Sequence, residues 1–148
     1  PYTSSAASDV YKRQPLVRAC ENKIPVLPIY LIEPSFWRQP FSSKRHWSFI
    51  RDCLIDLQID LINLKSNLHV EIDEALNFFD EINKKFKICS ILSHEETGNN
   101  WVLSRNIQVQ NWCKTKNINF IEYPNNGVVR NLENRDKWSQ IKKNRLNL

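Results

Sequence analysis

The run Ile88-Cys89-Ser90-Ile91-Leu92 is short, rich in branched apolar residues and flanked by polar ones, which is how a buried strand of a parallel sheet reads. The segment after it constrains the fold most. Ser93-His94-Glu95-Glu96-Thr97-Gly98-Asn99-Asn100 is polar and holds a single glycine, and Trp101 to Lys116 then runs without proline or glycine, predicting a helix. A strand end, a polar turn and a helix start together form the place where open α/β sheets hold their ligands. Two carboxylates, an imidazole and several amides give this one loop a large hydrogen-bonding capacity.

The same alternation runs along the chain. Leu16 to Asn22 reads as the end of a helix, and Ile24 to Ile32 as a continuous apolar strand whose Pro25 and Pro28 limit ladder bonding at its start. Glu33 to Phe41, with two prolines and three aromatics, reads as a loop. Ser43 to Lys65 is the clearest helix, because Trp47, Ile50, Leu54, Leu57, Leu61 and Leu64 recur at three and four. Leu68 to Ile72 reads as a strand. Asp73 then serves as N-cap for a helix from Glu74 to Lys85 with core face Leu76, Phe79, Ile82 and Phe86. In the helix after the polar loop, Val102, Val109 and Cys113 share one face and Leu103 and Ile107 another, the pattern of a helix packed against two things. Ile118 to Tyr123 is the last strand, Asn126-Gly127 a turn signal, and a short helix is expected around Lys137 to Lys143. Strands alternating with helices predict an α/β fold: an open parallel sheet with helices on both faces and right-handed crossovers.

Composition narrows the function. The chain has 148 residues, one domain's worth. It contains no methionine, so it is expected to be a piece of a longer protein. Residues 1 to 14 are small, polar and unpatterned, and read as a non-native or disordered leader. No segment approaches the roughly 20 apolar residues of a membrane span. Cys20, Cys53, Cys89 and Cys113 lack metal-ligand spacing and are expected to be buried free thiols in a reducing cytoplasm. His46, His69 and His94 are scattered, so no zinc site is expected. The net charge of +5 is uneven: from Arg130 to Leu148 six Lys/Arg face two acids, which reads as a solvated basic tail more readily than as a phosphate-binding surface.

Gly98 and Gly127 are the only glycines, so no phosphate-cradling glycine motif exists. No nucleophile, base and orienter stand at a spacing that supports covalent catalysis. Read by residues alone, the polar loop either turns the chain and caps the next helix or lines a ligand. Among the five tryptophans, Trp47 and Trp112 fit core stripes, whereas Trp37, Trp101 and Trp138 sit near loops, fit to stack on a chromophore or pack on a neighbour.

Four ordered stretches carry a resemblance. They are Pro25-Val26-Leu27-Pro28-Ile29-Tyr30-Leu31-Ile32-Glu33-Pro34-Ser35-Phe36-Trp37; Arg45-His46-Trp47-Ser48-Phe49-Ile50; the block Ser93 to Trp101 with Arg105 and Asn111-Trp112-Cys113; and Tyr123-Pro124-Asn125-Asn126-Gly127-Val128-Val129-Arg130. In this order they resemble the N-terminal, antenna-type α/β domain of the DNA photolyase/cryptochrome family, most of all its bacterial branch. One position departs from the family: the aspartate after the helix arginine is Asn106 here.

The resemblance implies residues 15–125 as a Rossmann-like α/β domain lacking its first, central strand, and residues 126–148 as a linker and short helix toward an FAD-binding domain outside this sequence. It implies a parent that repairs UV-damaged DNA, a deoxyribodipyrimidine photolyase in which light-excited reduced FAD passes an electron to a pyrimidine dimer. This domain would act as antenna or buttress and would itself hold no catalytic residue. Glu33, His94, Glu95, Glu96, Gly98 and Asn99 are the implied lining of a cleft for a second chromophore of folate or flavin type. A cryptochrome photoreceptor without repair activity shares the domain. A stand-alone nucleotide-binding protein would need a phosphate loop, and none is present.

Overall fold

The computed structural model describes residues 14–21, 24–124, 132 and 134–141. Residues 1–13 of the expected leader, the Asn126-Gly127 turn and Lys142 onward lie outside the described residues, whereas Gln14, the last residue of that leader, begins a helix. The described chain falls into two compact units, residues 24–88 and the remainder of the chain. Both have α/β character with short parallel strands, as the alternation predicts.

In the unit of residues 24–88, strand β1 (Ile29–Leu31) pairs in parallel with β2 (His69–Glu71), with Tyr30 opposite Val70. The strand is much shorter than its apolar run, because Pro25 and Pro28 have no N–H to donate. Pro28 still contributes its carbonyl, which accepts from His69 N–H at 2.8 Å. Between the strands lie a helical turn, Pro34–Trp37 (here α2), and the long helix α3 (Lys44–Asn63), counting the N-terminal helix Gln14–Glu21 as α1. The helical turn corrects the loop expected over Glu33 to Phe41: Pro34 stands at its start, where a fixed φ and a missing N–H suit a helix.

Helix α3 starts at Ser43, whose Oγ accepts from His46 N–H. It ends with Lys65 in the left-handed region (φ 59°), where Lys65 N–H bonds to Ile62 O and Ser66 N–H to Leu61 O. That closes two of the helix's last carbonyls. The stripe is only partly core. Leu61 is buried and Trp47, Ile50 and Leu54 are half-buried, but Leu57 and Leu64 are exposed.

Strand β2 leads to helix α4 (Ala75–Lys85). Glu74, not Asp73 as expected, is the N-cap, and the helix begins one residue later; Asp73 Oδ1 accepts from the N–H of Glu74 itself and meets none of the helix's own first donors. Its buried residues are Ala75 and Phe78, with the Phe78 ring 5.6 Å from that of His69. Leu76, Phe79 and Ile82 are half-buried at its flanks, and Phe86 is exposed. The core face is thus turned by about one residue from the sequence reading, as a step of roughly 100° per residue allows.

In the other unit, β3 (Ser90–His94) pairs in parallel with β4 (Asn119–Tyr123), Ser90 opposite Asn119 and His94 opposite Tyr123. Helix α5 (Asn100–Lys116) connects them, and α1 packs on both strands. Val102, Val109, Trp112 and Cys113 form the buried face of α5, with Ile118 beside its end. Leu103 and Ile107 are exposed, as a second face in want of a partner would be. Asn117 (φ 56°) ends α5 in the left-handed region, which asparagine tolerates better than most residues.

Parallel pairing sends the N–H and C=O of alternate residues to opposite edges. Cys89 and Glu95 bond to β4, so Ser90, Leu92 and His94 face the second edge of β3. Among the described residues each sheet has two strands. No helix among them is long and apolar enough to cross a membrane.

The cysteines depart from expectation: Cys20, Cys53 and Cys89 are exposed free thiols, and only Cys113 is buried. Cys53 lies on the outer side of α3, and Cys89 precedes β3 because the strand starts two residues after the apolar run does. Burial pushes the Cys113 thiol up from its ordinary pKa, disfavouring the reactive thiolate. A thiol reagent at about pH 8, near the ordinary thiol pKa, should therefore label three cysteines of the native chain quickly, and the fourth only after denaturation. Fast labelling of all four, read by mass spectrometry, would contradict this burial.

Candidate functional site

The polar loop grows out of the β3–β4 ladder. The strand runs two residues further than the apolar pattern suggests, so His94, expected in the loop, is its last residue. Glu95 N–H then donates to Tyr123 O at 2.8 Å, carrying the ladder one step into the loop. At the far end, Asn99 Oδ1 accepts from Val102 N–H at 3.2 Å, and Asn99 O accepts from Leu103 N–H. This is a side-chain N-cap. Gly98 lies against the first turn of α5: a Cβ there would stand at contact distance, 3.4 Å from Val102 Cγ2. The loop from Glu95 to Asn99 is thereby held at both ends.

Arg105 gathers the charges. Its guanidinium carbon lies 6.0 Å from the Trp101 ring centre, and Nη2 stands 3.5 Å from Glu96 Oε1. The Glu96 side chain is 46% exposed, so the pair contributes only about 0–1 kcal/mol. Its value is positional: a carboxylate, a guanidinium and an indole are presented together. His94 Nδ1, Glu95 Oε2 and Arg105 Nε are buried atoms of the same segment. Arg105 stands outside the cleft lining expected from sequence, where Trp101 entered only as a ring fit to stack or pack, although their i, i+4 spacing on one helix face is the signal that joins them.

Asn106 Nδ2 donates to Glu122 Oε1 on β4 at 3.1 Å. The family's aspartate at this position would set a second carboxylate against Glu122, so the amide is the better fit to this neighbour.

Glu33 belongs to the unit of residues 24–88. It is the buried charged residue among those described, at 6% exposure. Its Oε1 accepts from Ala75 N–H at 3.2 Å, at the start of α4. The exchange is mutual: Glu74 accepts from Ser35 N–H at 2.8 Å and from Ser35 Oγ at 2.6 Å, at the start of α2. Two helix N-termini thus exchange carboxylates, each meeting unbonded N–H groups and the positive end of a helix dipole. This use of Glu33 is invisible in sequence because the partner lies 42 positions away. Among the described residues no group of three His, Cys, Asp or Glu stands close enough to hold a metal ion.

These bonds set two stability outcomes. Glu33→Ala should cost about 1–3 kcal/mol in urea unfolding, the penalty of leaving a buried donor without its acceptor, and Glu33→Gln less. Asn106→Asp should destabilise the chain by about 1 kcal/mol at neutral pH, as a carboxylate pair in a part-buried setting. The repulsion raises the folded-state pKa of that pair above its unfolded value, so the loss should shrink as the pH falls through the raised pKa. Equal destabilisation in neutral and mildly acidic buffer would rule the pairing out.

The comparison with protein families agrees with these features. The family model described as DNA photolyase matches residues 12–141, most of the chain. Neither the curated proteins nor the solved structures offer a match. Nearly the whole described structure, including the loop between β3 and α5, thus falls under one family model, and the chain belongs to the DNA photolyase family.

Proposed function

We propose that this chain is the antenna or buttress α/β portion of a deoxyribodipyrimidine photolyase, a carbon–carbon lyase that repairs UV-damaged DNA. FAD would sit in a helical domain outside this sequence, which would dock on the α/β portion and bind the damaged DNA. The family match over residues 12–141 carries the reading. The exposed free thiols of Cys20, Cys53 and Cys89 suit a reducing, cytoplasmic setting.

The residues present fit a second chromophore better than they fit FAD. A dinucleotide needs backbone close to its phosphates, and the sequence has no glycine-rich turn for that. The end of β3 and the loop after it, His94, Glu95, Glu96, Gly98 and Asn99, offer hydrogen-bonding groups. Trp101 and Arg105 add an aromatic face and a fixed cation. A folate- or flavin-type chromophore carries a flat ring and acidic or amide groups, which match an indole, a guanidinium and a carboxylate. Bound there, it would supply light absorption, and these residues would orient it.

The test is to purify the protein encoded at the full locus, record its absorbance and assay thymine-dimer repair in blue light and in darkness. The expected result is bound flavin, light-dependent repair and a second near-ultraviolet or blue chromophore. Glu96→Ala should weaken the second chromophore roughly tenfold, the scale of one hydrogen bond to a charged group, and leave FAD in place. Flavin without repair would point to a photoreceptor instead. A product that binds no flavin would end the proposal.

A further inference from the structure

Charge in the unit of residues 24–88 is sharply divided. Residues 34–51 contain Arg38, Lys44, Arg45 and Arg51 and no acid at all, whereas Asp52, Asp56 and Asp60 come directly after them. Lys44, Arg45 and Arg51 are exposed, and Arg38 lies at the surface of the turn before them. Arg51 pairs with Asp52 at 2.8 Å, but among the described residues Arg38, Lys44 and Arg45 make no ion pair.

Their position is not one that helix stability selects. Lys44 and Arg45 open α3, where the macrodipole is positive, and no acid stands in its first turn or base in its last. Cations there oppose the dipole. Their surroundings are well packed all the same. Phe36 meets Phe41 at 5.4 Å, and Trp37 meets both His46 (5.3 Å) and Trp47 (5.4 Å), clamping the turn before Arg38 to the start of α3. Ser42 Oγ also donates to Phe36 O. Two rings are left outward: Phe41, 45% exposed, and Phe49, 69% exposed.

We propose that Arg38, Lys44, Arg45 and Arg51, with Phe41 and Phe49, form a docking surface for the phosphate backbone of DNA. Lys44 and Arg51 lie two turns apart on one helix, about 10 Å along the axis at roughly 1.5 Å per residue. One DNA strand presents roughly three phosphates over that length, at about 3.4 Å each. Cations fixed on a packed surface, with exposed rings to lie against bases or sugars, are the recurring means of sequence-independent binding. An anionic lipid surface fits worse, because the rest of α3 carries Asp52, Asp56 and Asp60 among its exposed isoleucines. The choice of DNA as partner rests on the repair function proposed above.

The test measures binding of the full chain to an undamaged duplex of about two helical turns and to oligo-dT across a salt series, by fluorescence anisotropy. The variants are the triple change Arg38→Gln, Lys44→Gln, Arg45→Gln and a control, Lys84→Gln with Lys85→Gln. The triple variant should bind at least roughly tenfold more weakly at low salt, and its log–log salt slope should fall by about 2–3, near 0.9 for each phosphate no longer neutralised. The control should bind as the unaltered chain does. Because Lys44 and Arg45 oppose the dipole of α3 and Arg38 is an exposed side chain without an ion pair, the melting temperature of the triple variant should stay level or rise, whereas a structural role would lower it. An unchanged salt slope, no DNA binding by the unaltered chain, or binding to anionic vesicles in place of DNA would overturn the surface. Patch-dependent DNA binding by this chain, together with a protein of the full locus that binds no flavin, would instead overturn the repair reading and leave the surface standing.

Discussion

The parallel ladder from Cys89 to Glu95 against Asn119 to Tyr123 is the constraint on which the candidate site depends. Backbone N–H and C=O groups taken out of water must be bonded, and this ladder bonds them up to the first residue of the loop. Because the ladder ends at Glu95 and the cap of α5 begins at Asn99, the intervening residues bridge two fixed points. Arg105, one turn into a helix whose other face is buried through Val102, Val109 and Cys113, is then set beside Glu96 and Trp101 without needing a strong ion pair.

A second constraint acts in the unit of residues 24–88. Short helices have few internal bonds and depend on the groups that satisfy their first N–H donors. The carboxylates of Glu33 and Glu74 meet that need reciprocally, which lets one acid be buried at low cost. The exchange also ties the end of β1 to the start of α4 across a long stretch of sequence. The arrangement explains why a glutamate can close an apolar strand: its charge is met by a helix terminus and not by solvent.

Charge placement separates folding from function in this protein. Exposed pairs such as Arg51–Asp52 and Lys84–Glu81 sit where they are nearly neutral for stability. The cations that open α3 sit where stability disfavours them. A residue pattern that the fold does not select is where a partner is most reasonably sought, and the basic, aromatic-flanked turn before α3 is such a pattern.

Sequence alone determined the kind and order of the elements. Apolar periodicity is a local property, and a run of branched residues or a stripe at three and four is legible without neighbours. Motif order likewise disclosed the family. The tertiary structure alone decided where elements end and which faces are covered. β3 starts and ends two residues later than its apolar run because pairing with β4 sets the register, and that shift exposes Cys89 and draws His94 into the strand. α4 buries Phe78 and leaves Phe86 outside because the facing ring of His69 belongs to another element. Glu33 and Glu74 each bond to a group about forty positions away, and Asn106 bonds to Glu122 on the neighbouring strand. Hydrogen-bond partners and covered faces are set by non-local contacts, for which the local pattern of residues carries no signal.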